Sequence, residues 1–159
     1  MKRFVPFLLC FALASVASAQ PFVVIVRHAE KATNGGSDPD LSLAGRALGD
    51  ALAGILKDAG ITAIFTSEFK RTKETAAATA ASLGISPTVV PAKDTGALVS
   101  KLHELNGNVL VVGHGDTIPD LVKALGIDTP VNIPDNDYTE LFIITLGDKP
   151  QLFRLHYSS

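Results

Sequence analysis

The 159-residue sequence predicts one three-layer α/β/α sandwich, built on a mainly parallel sheet with an antiparallel C-terminal edge. Three observations carry that expectation. Val23-Val24-Ile25-Val26 and Val109-Leu110-Val111-Val112 are short, β-branched apolar runs of the kind that form strands buried on both faces. Segments with apolar residues at helical spacing alternate with such runs, as they do when helices cover both faces of a parallel sheet. Finally, Glu140–Leu146 and Leu152–Tyr157 flank Gly147-Asp148-Lys149-Pro150 and read as a hairpin.

Lys2 and Arg3, the apolar run from Phe4 to Val16 and the small residues Ala17-Ser18-Ala19 have the layout of a cleavable signal peptide over residues 1–19. The run is short for a membrane span. The competing reading is an uncleaved anchor; a lipoprotein site at Cys10 fits less well, because Cys10 sits mid-run. Cleavage leaves residues 20–159 as one domain, periplasmic or secreted, with no stable membrane insertion. It removes Cys10, the only cysteine, which excludes disulfides and thiolate chemistry from the product. The loss of Lys2 and Arg3 takes the formal charge from −2 to −4. A mildly acidic domain without a basic run argues against nucleic acid as a partner.

After the first strand, Lys31 to Asp40 is a polar loop with Gly35-Gly36 and Asp38-Pro39 turn signals. Ser42 is a helix N-cap, followed by Leu43, Ala47, Leu48, Ala51, Leu52, Ile55 and Leu56 at helical spacing up to Gly60. Ile61 to Phe65 is a second strand, and a helix from about Phe69 to Leu83 stops at Gly84. Thr88 to Val90 is a short strand, and Asp94 to Leu105 a helix ending at Asn106-Gly107. Beyond the Val109–Val112 strand, Thr117 or Asp116 caps a helix that carries Pro119 in its first turn.

Each apolar run delivers a histidine to its carboxyl end. Arg27-His28 follows the first, and Gly113-His114-Gly115 the later one. Open α/β sheets place their ligand crevice at the carboxyl ends of the strands. Packing alone seldom needs two imidazoles aimed at one crevice. Arg27, and Arg71 near the start of the second helix, suit an anion, because a planar guanidinium offers bidentate contacts and stays charged. Arg71 also has an ordinary reading, as one more solvated residue in the stretch Glu68, Lys70, Arg71, Lys73, Glu74; Lys70 is the alternative in a shifted register.

These pieces together resemble the histidine phosphatase superfamily, the phosphoglycerate-mutase-like enzymes. The resemblance rests on Arg27-His28, Leu41-Ser42-x-x-Gly45, Thr66-Ser67-x-x-Lys70-Arg71-Thr72-x-x-Thr75-Ala76 and Val111-Val112-Gly113-His114-Gly115, in the family's order over about 90 residues. Ala29 departs from the glycine usual after the first histidine. The resemblance implies a phosphoglycerate-mutase-like fold and a phosphomonoester hydrolase acting through a phosphohistidine on His28. Arg27, Arg71 and His114 bind the phosphoryl group, and no metal or organic cofactor is needed. His28 must be neutral to attack, which burial and nearby arginines favour. His114 stabilises the charge that develops in transfer.

The general acid is open at this level. Asp94 lies 23 residues beyond Arg71, near the place of the mutase-like acid, and equally reads as a helix cap. Asp116 is one residue out of step with the acid-phosphatase pattern, and Glu30 is a loop carboxylate close to His28. Asn34 matches a phosphate-binding asparagine, or is a turn residue. Ser67 touches substrate or caps a helix; His103 and His156 read as surface and edge residues.

Rival readings are weaker on the residues. A zinc hydrolase lacks the His-Glu-x-x-His motif and any cysteine pair. An α/β-hydrolase elbow fails because Gly113-His114-Gly115-Asp116-Thr117 puts glycine at the nucleophile position. A silent phosphate-binding module shares the pocket but not turnover, and a phosphohistidine-protein phosphatase shares the chemistry but is expected in the cytoplasm. Mutases carry long insertions that this short chain lacks. The expected partner is a small phosphorylated substrate, selected by the Lys31–Asp40 loop, the Thr88–Gly96 segment and the Pro130–Tyr138 loop.

Overall fold

In the computed structural model, which describes residues 20–33 and 35–159, the first apolar run forms the centre of the sheet. Strand β1 (Phe22–Arg27) has four consecutive residues buried, because both its faces are covered. Val23 and Ile25 point into one core cluster and Val24 and Val26 into the other, as the two-residue period of a strand requires. The expected signal segment, residues 1–19, and Asn34 lie outside the described residues.

The chain continues through α1 (Leu43–Leu56), β2 (Ile61–Thr66), α2 (Lys70–Leu83), β3 (Thr88–Val89), α3 (Thr95–Glu104), β4 (Asn108–Gly113), α4 (Ile118–Ala124), β5 (Glu140–Thr145) and β6 (Leu152–His156). The sheet order is β3-β2-β4-β1-β5-β6, with β3, β2, β4 and β1 parallel and β5 antiparallel to both β1 and β6. Leu48, Leu52 and Leu56 of α1 and Ala76 of α2 cover one face; Leu102 of α3 and Ile118, Leu121 and Val122 of α4 cover the other. The sandwich therefore has the three layers and the antiparallel edge that the sequence predicts.

Local details follow from the caps. Ser42 accepts a hydrogen bond from the Gly45 amide and starts α1. The helix ends at Leu56, four residues short of Gly60, which sits at φ +63° in the turn that follows. Gly84 ends α2 in the left-handed conformation that glycine adopts without a Cβ penalty. Asp94 caps α3 through the Ala97 amide. Thr117 occupies the cap of α4 but makes no side-chain cap bond; Asp116 is not the capping residue.

Candidate active site

The parallel register of β1 and β4 pairs Arg27 with Gly113, so the residues that follow, His28 and His114, leave the sheet side by side. The pairing runs one step further through a bond from the His28 amide to the Gly113 carbonyl, 2.9 Å. The imidazole centroids are 5.3 Å apart in an edge-to-face arrangement, and both residues are buried, at 5% and 6% exposure.

His28 Nδ1 lies 2.9 Å from the Ala29 carbonyl. A carbonyl only accepts, so Nδ1 carries the proton and Nε2 keeps a free lone pair. Ala29 is fully buried, and its amide donates to Thr75 Oγ1 of α2 at 2.9 Å, which ties the turn after β1 to the helix over it. Gly45 permits the same packing from α1: a Cβ there would fall 2.2 Å from the Glu30 carbonyl oxygen.

Burial lowers the His28 pKa to about 4, with smaller contributions in the same direction from His114, Arg71 and Arg27; the bond to Ala29 opposes them. The His114 pKa is lowered too, first by burial and then by Arg71, while Asp116 and Glu68 pull the other way. Both imidazoles are therefore neutral near pH 7.

The two guanidinium groups are held by different partners. Arg27 Nη1 donates to the carbonyls of Pro134, Asp135 and Asp137 at 2.9 to 3.1 Å, and its Cζ lies 4.4 Å from the Tyr138 ring centroid. Gly115 lies against it, and a Cβ there would sit in ordinary contact, 3.4 Å from Arg27 Nε. Arg71 stacks on Phe69 at 4.1 Å and faces Asp38 at 3.7 Å. Its side chain is only 15% exposed, whereas Lys70 is exposed and pairs with Asp40, so Arg71 and not Lys70 turns towards the histidines. In both arginines Nε is buried with no protein acceptor. Two unsatisfied N–H donors beside two neutral imidazoles form a receptor for an oxyanion.

Ser67, buried just beyond β2, bonds His114 Nε2 at 2.9 Å and Thr72 Oγ1 at 3.0 Å. It also accepts from the Phe69 amide, so its hydroxyl supports the second imidazole. The three carboxylates singled out as acids are spread out. Asp94, exposed, caps α3 and lines a small cavity with Ser67 and His114. Asp116, exposed, acts on His114 through charge. Glu30 accepts from Ser42 Oγ at 2.6 Å and so braces the start of α1. Among the described residues, no carboxylate hydrogen-bonds either histidine of the pair. His103 is exposed in the last turn of α3, and His156 is exposed on the edge strand.

Tyr138 and Phe69 are site residues that sequence patterns did not single out, while Thr72 and Thr75 stood in the motif after β2 without an assigned role. The aromatic pair had one available signal: each neighbours a segment already tied to the crevice. The threonines were in the motif, but a helix interior hides which hydroxyls turn inward.

Residues 23–93 match the model of the histidine phosphatase superfamily, branch 1. No curated protein sequence matches the chain at a significant level. Among solved structures, the chain is similar to the protein histidine phosphatase SixA complexed with tungstate, with 24% identity and a TM-score of 0.72 over 85% of this chain and 96% of that one. It is also similar to a proposed phosphohistidine phosphatase SixA from Agrobacterium tumefaciens, with 18% identity and a TM-score of 0.65 over 86% and 98%. A third is a mycobacterial glucosyl-3-phosphoglycerate phosphatase with inorganic phosphate, at 17% identity and a TM-score of 0.66 over 87% and 97%. At these identities the likenesses establish the fold.

Proposed function

We propose that this chain, whose residues 23–93 match the model of the histidine phosphatase superfamily, is a phosphatase of that kind and hydrolyses small phosphomonoesters through a phosphohistidine on His28. The observation that carries the reading is the pair of neutral, buried imidazoles 5.3 Å apart, flanked by two buried guanidinium N–H groups without protein acceptors. Phosphoryl transfer asks for positioning and charge neutralisation, and that set supplies both. His28 Nε2 attacks phosphorus as the ester P–O bond breaks, while Nδ1–H stays on the Ala29 carbonyl. Arg27, Arg71 and His114 hold the equatorial oxygens. Asp94 gives its proton to the leaving alkoxide, with Asp116 as the alternative donor. Water then attacks phosphorus, the N–P bond breaks, and the acid recovers its proton.

A second reading is a phosphohistidine-protein phosphatase. It is favoured by the absence of a carboxylate bonded to the histidine pair among the described residues, because an imidazole leaving group needs less help from an acid than an alkoxide. A compact chain whose fold matches 96% of the length of a protein histidine phosphatase suits a protein-borne phosphate. Against it stands the proposal that residues 1–19 direct export and are removed, leaving a periplasmic or secreted domain.

Hydrolysis of p-nitrophenyl phosphate by the wild type, and its loss in His28→Ala with the fold retained, tests the shared chemistry. A screen of phosphorylated metabolites beside a phosphohistidine peptide separates the two substrates. Turnover that persists in His28→Ala contradicts both.

A further inference from the structure

Among the described residues, one cluster of metal-ligating side chains outside the histidine pocket stands beside the loop that holds Arg27. Glu140 and His156 are register partners across β5 and β6, which puts their side chains on the same face of the sheet. Asp137 joins them from the preceding loop, and one ligand atom from each of the three lies within 4.8 Å of the others. A second observation is independent of that grouping. Glu140 is only 2% exposed; Arg154 takes its Oε1, and its buried Oε2 has no hydrogen-bond partner. A buried carboxylate oxygen without a donor is costly, and coordination to a cation removes the deficit.

The surroundings resemble the outer support of metal ligands. Thr139 Oγ1 lies 2.8 Å from Asp137 Oδ1 and 3.1 Å from His156 Nδ1, so one hydroxyl orients two of the three groups. Arg154 is a positive neighbour, but its side chain is 45% exposed and it pairs with the other Glu140 oxygen. Asp137, Glu140 and Arg154 together carry one formal negative charge, which a cation meets favourably.

We propose that Asp137, Glu140 and His156 form a structural site for a divalent transition-metal ion of the zinc type, which pins the loop that orients Arg27. Two carboxylates and one imidazole are a usual ligand set for such ions. The link to the pocket is Asp137 itself, whose carbonyl accepts from Arg27 Nη1 at 3.1 Å while its carboxylate faces the cluster. The ion takes no part in phosphoryl transfer.

The test is calorimetric titration of the untagged full chain with Zn2+, compared with His156→Ala and Glu140→Gln. The wild type should take up one equivalent, with a raised Tm and slowed amide exchange over residues 134–139. Both variants should bind at least tenfold more weakly and lose that protection. His156 is exposed, so His156→Ala should fold even if Glu140→Gln does not. No saturable uptake by the wild type, or equal uptake by His156→Ala, overturns the site. Binding at the His28–His114 pair would survive His156→Ala and so counts against it. No phosphorylated substrate enters the measurement, so its failure leaves the phosphatase reading intact.

Discussion

Arg27 on β1 and Gly113 on β4 are register partners, and this one alignment sets His28 and His114 ring to ring. A one-residue slip would turn every side chain of the strand to the opposite face and separate the pair. The register is secured by burial: Val23 to Val26 and Val109 to Val112 are all at most 2% exposed. The hydrophobic core and the site are thus specified by the same residues.

The depressed pKa of His28 fixes the acid limb of the pH profile. Attack requires the neutral ring, so kcat/KM for p-nitrophenyl phosphate should fall about tenfold between pH 6 and pH 3 through a group near pH 4, after correction for substrate ionisation. A limb near 6.5 would mean that His28 is not desolvated in the working enzyme. Stability should follow the same sign. The unfolded chain binds this proton near 6.5 and the folded chain near 4, so the contribution is present above pH 6.5 and is lost as pH falls through that window. Urea midpoints measured from pH 7 to pH 4 check it.

Arg27 should tolerate no cationic replacement. Arg27→Lys keeps the charge but lacks the fork that reaches the carbonyls of Pro134, Asp135 and Asp137 while presenting Nε to the pocket. Loss of one charge-assisted contact costs about 1.5–3 kcal/mol, or roughly 10- to 100-fold in kcat/KM. Arg71→Lys should fall in the same range, and Lys70→Ala should change kcat/KM little. Steady-state kinetics on the three variants make the comparison, and equal effects at positions 70 and 71 would reject the assignment of Arg71.

The proton donor is read from leaving groups. Asp94→Asn should slow an alkyl phosphate far more than p-nitrophenyl phosphate, because the nitrophenolate needs no acid. Asp116→Asn should affect both alike, through the charge it places near His114. The reverse pattern would transfer the role to Asp116.

Gly45→Ala tests how α1 supports the turn after His28. A Cβ placed 2.2 Å from the Glu30 carbonyl oxygen must displace backbone, at a cost of about 1–3 kcal/mol. Tm should drop, with a loss of kcat larger than that of Gly54→Ala, where a Cβ meets nothing within 4 Å. Equal behaviour of the two variants would show that the turn is not held by this contact.

What could be read from the sequence was local in origin. The β-branched runs, the Ser42 cap and the Gly84 stop are short-range signals, and the histidines announce themselves by following buried strands. The end of α1 shifted because several residues compete to close a last turn, while α4 starts after Thr117, one of its two expected caps. Other features depend on segments far apart in the chain. Arg27 is clamped by carbonyls 107 to 110 residues away, and Thr75 meets the Ala29 amide across 46 positions. No periodicity encodes such meetings, so Tyr138 and Phe69, and the bonds made by the α2 threonines, emerged only with the fold. Ser67 was singled out beforehand, but its bond to His114 was visible only in three dimensions.

The most direct measurement is mass spectrometry of the enzyme quenched at alkaline pH within milliseconds of mixing with p-nitrophenyl phosphate. A covalent phosphoryl group on the peptide that carries His28, absent in His28→Ala and present in His114→Ala at lower yield, is the expected result. An unmodified His28 during active turnover, or the phosphoryl group on His114, would contradict the account.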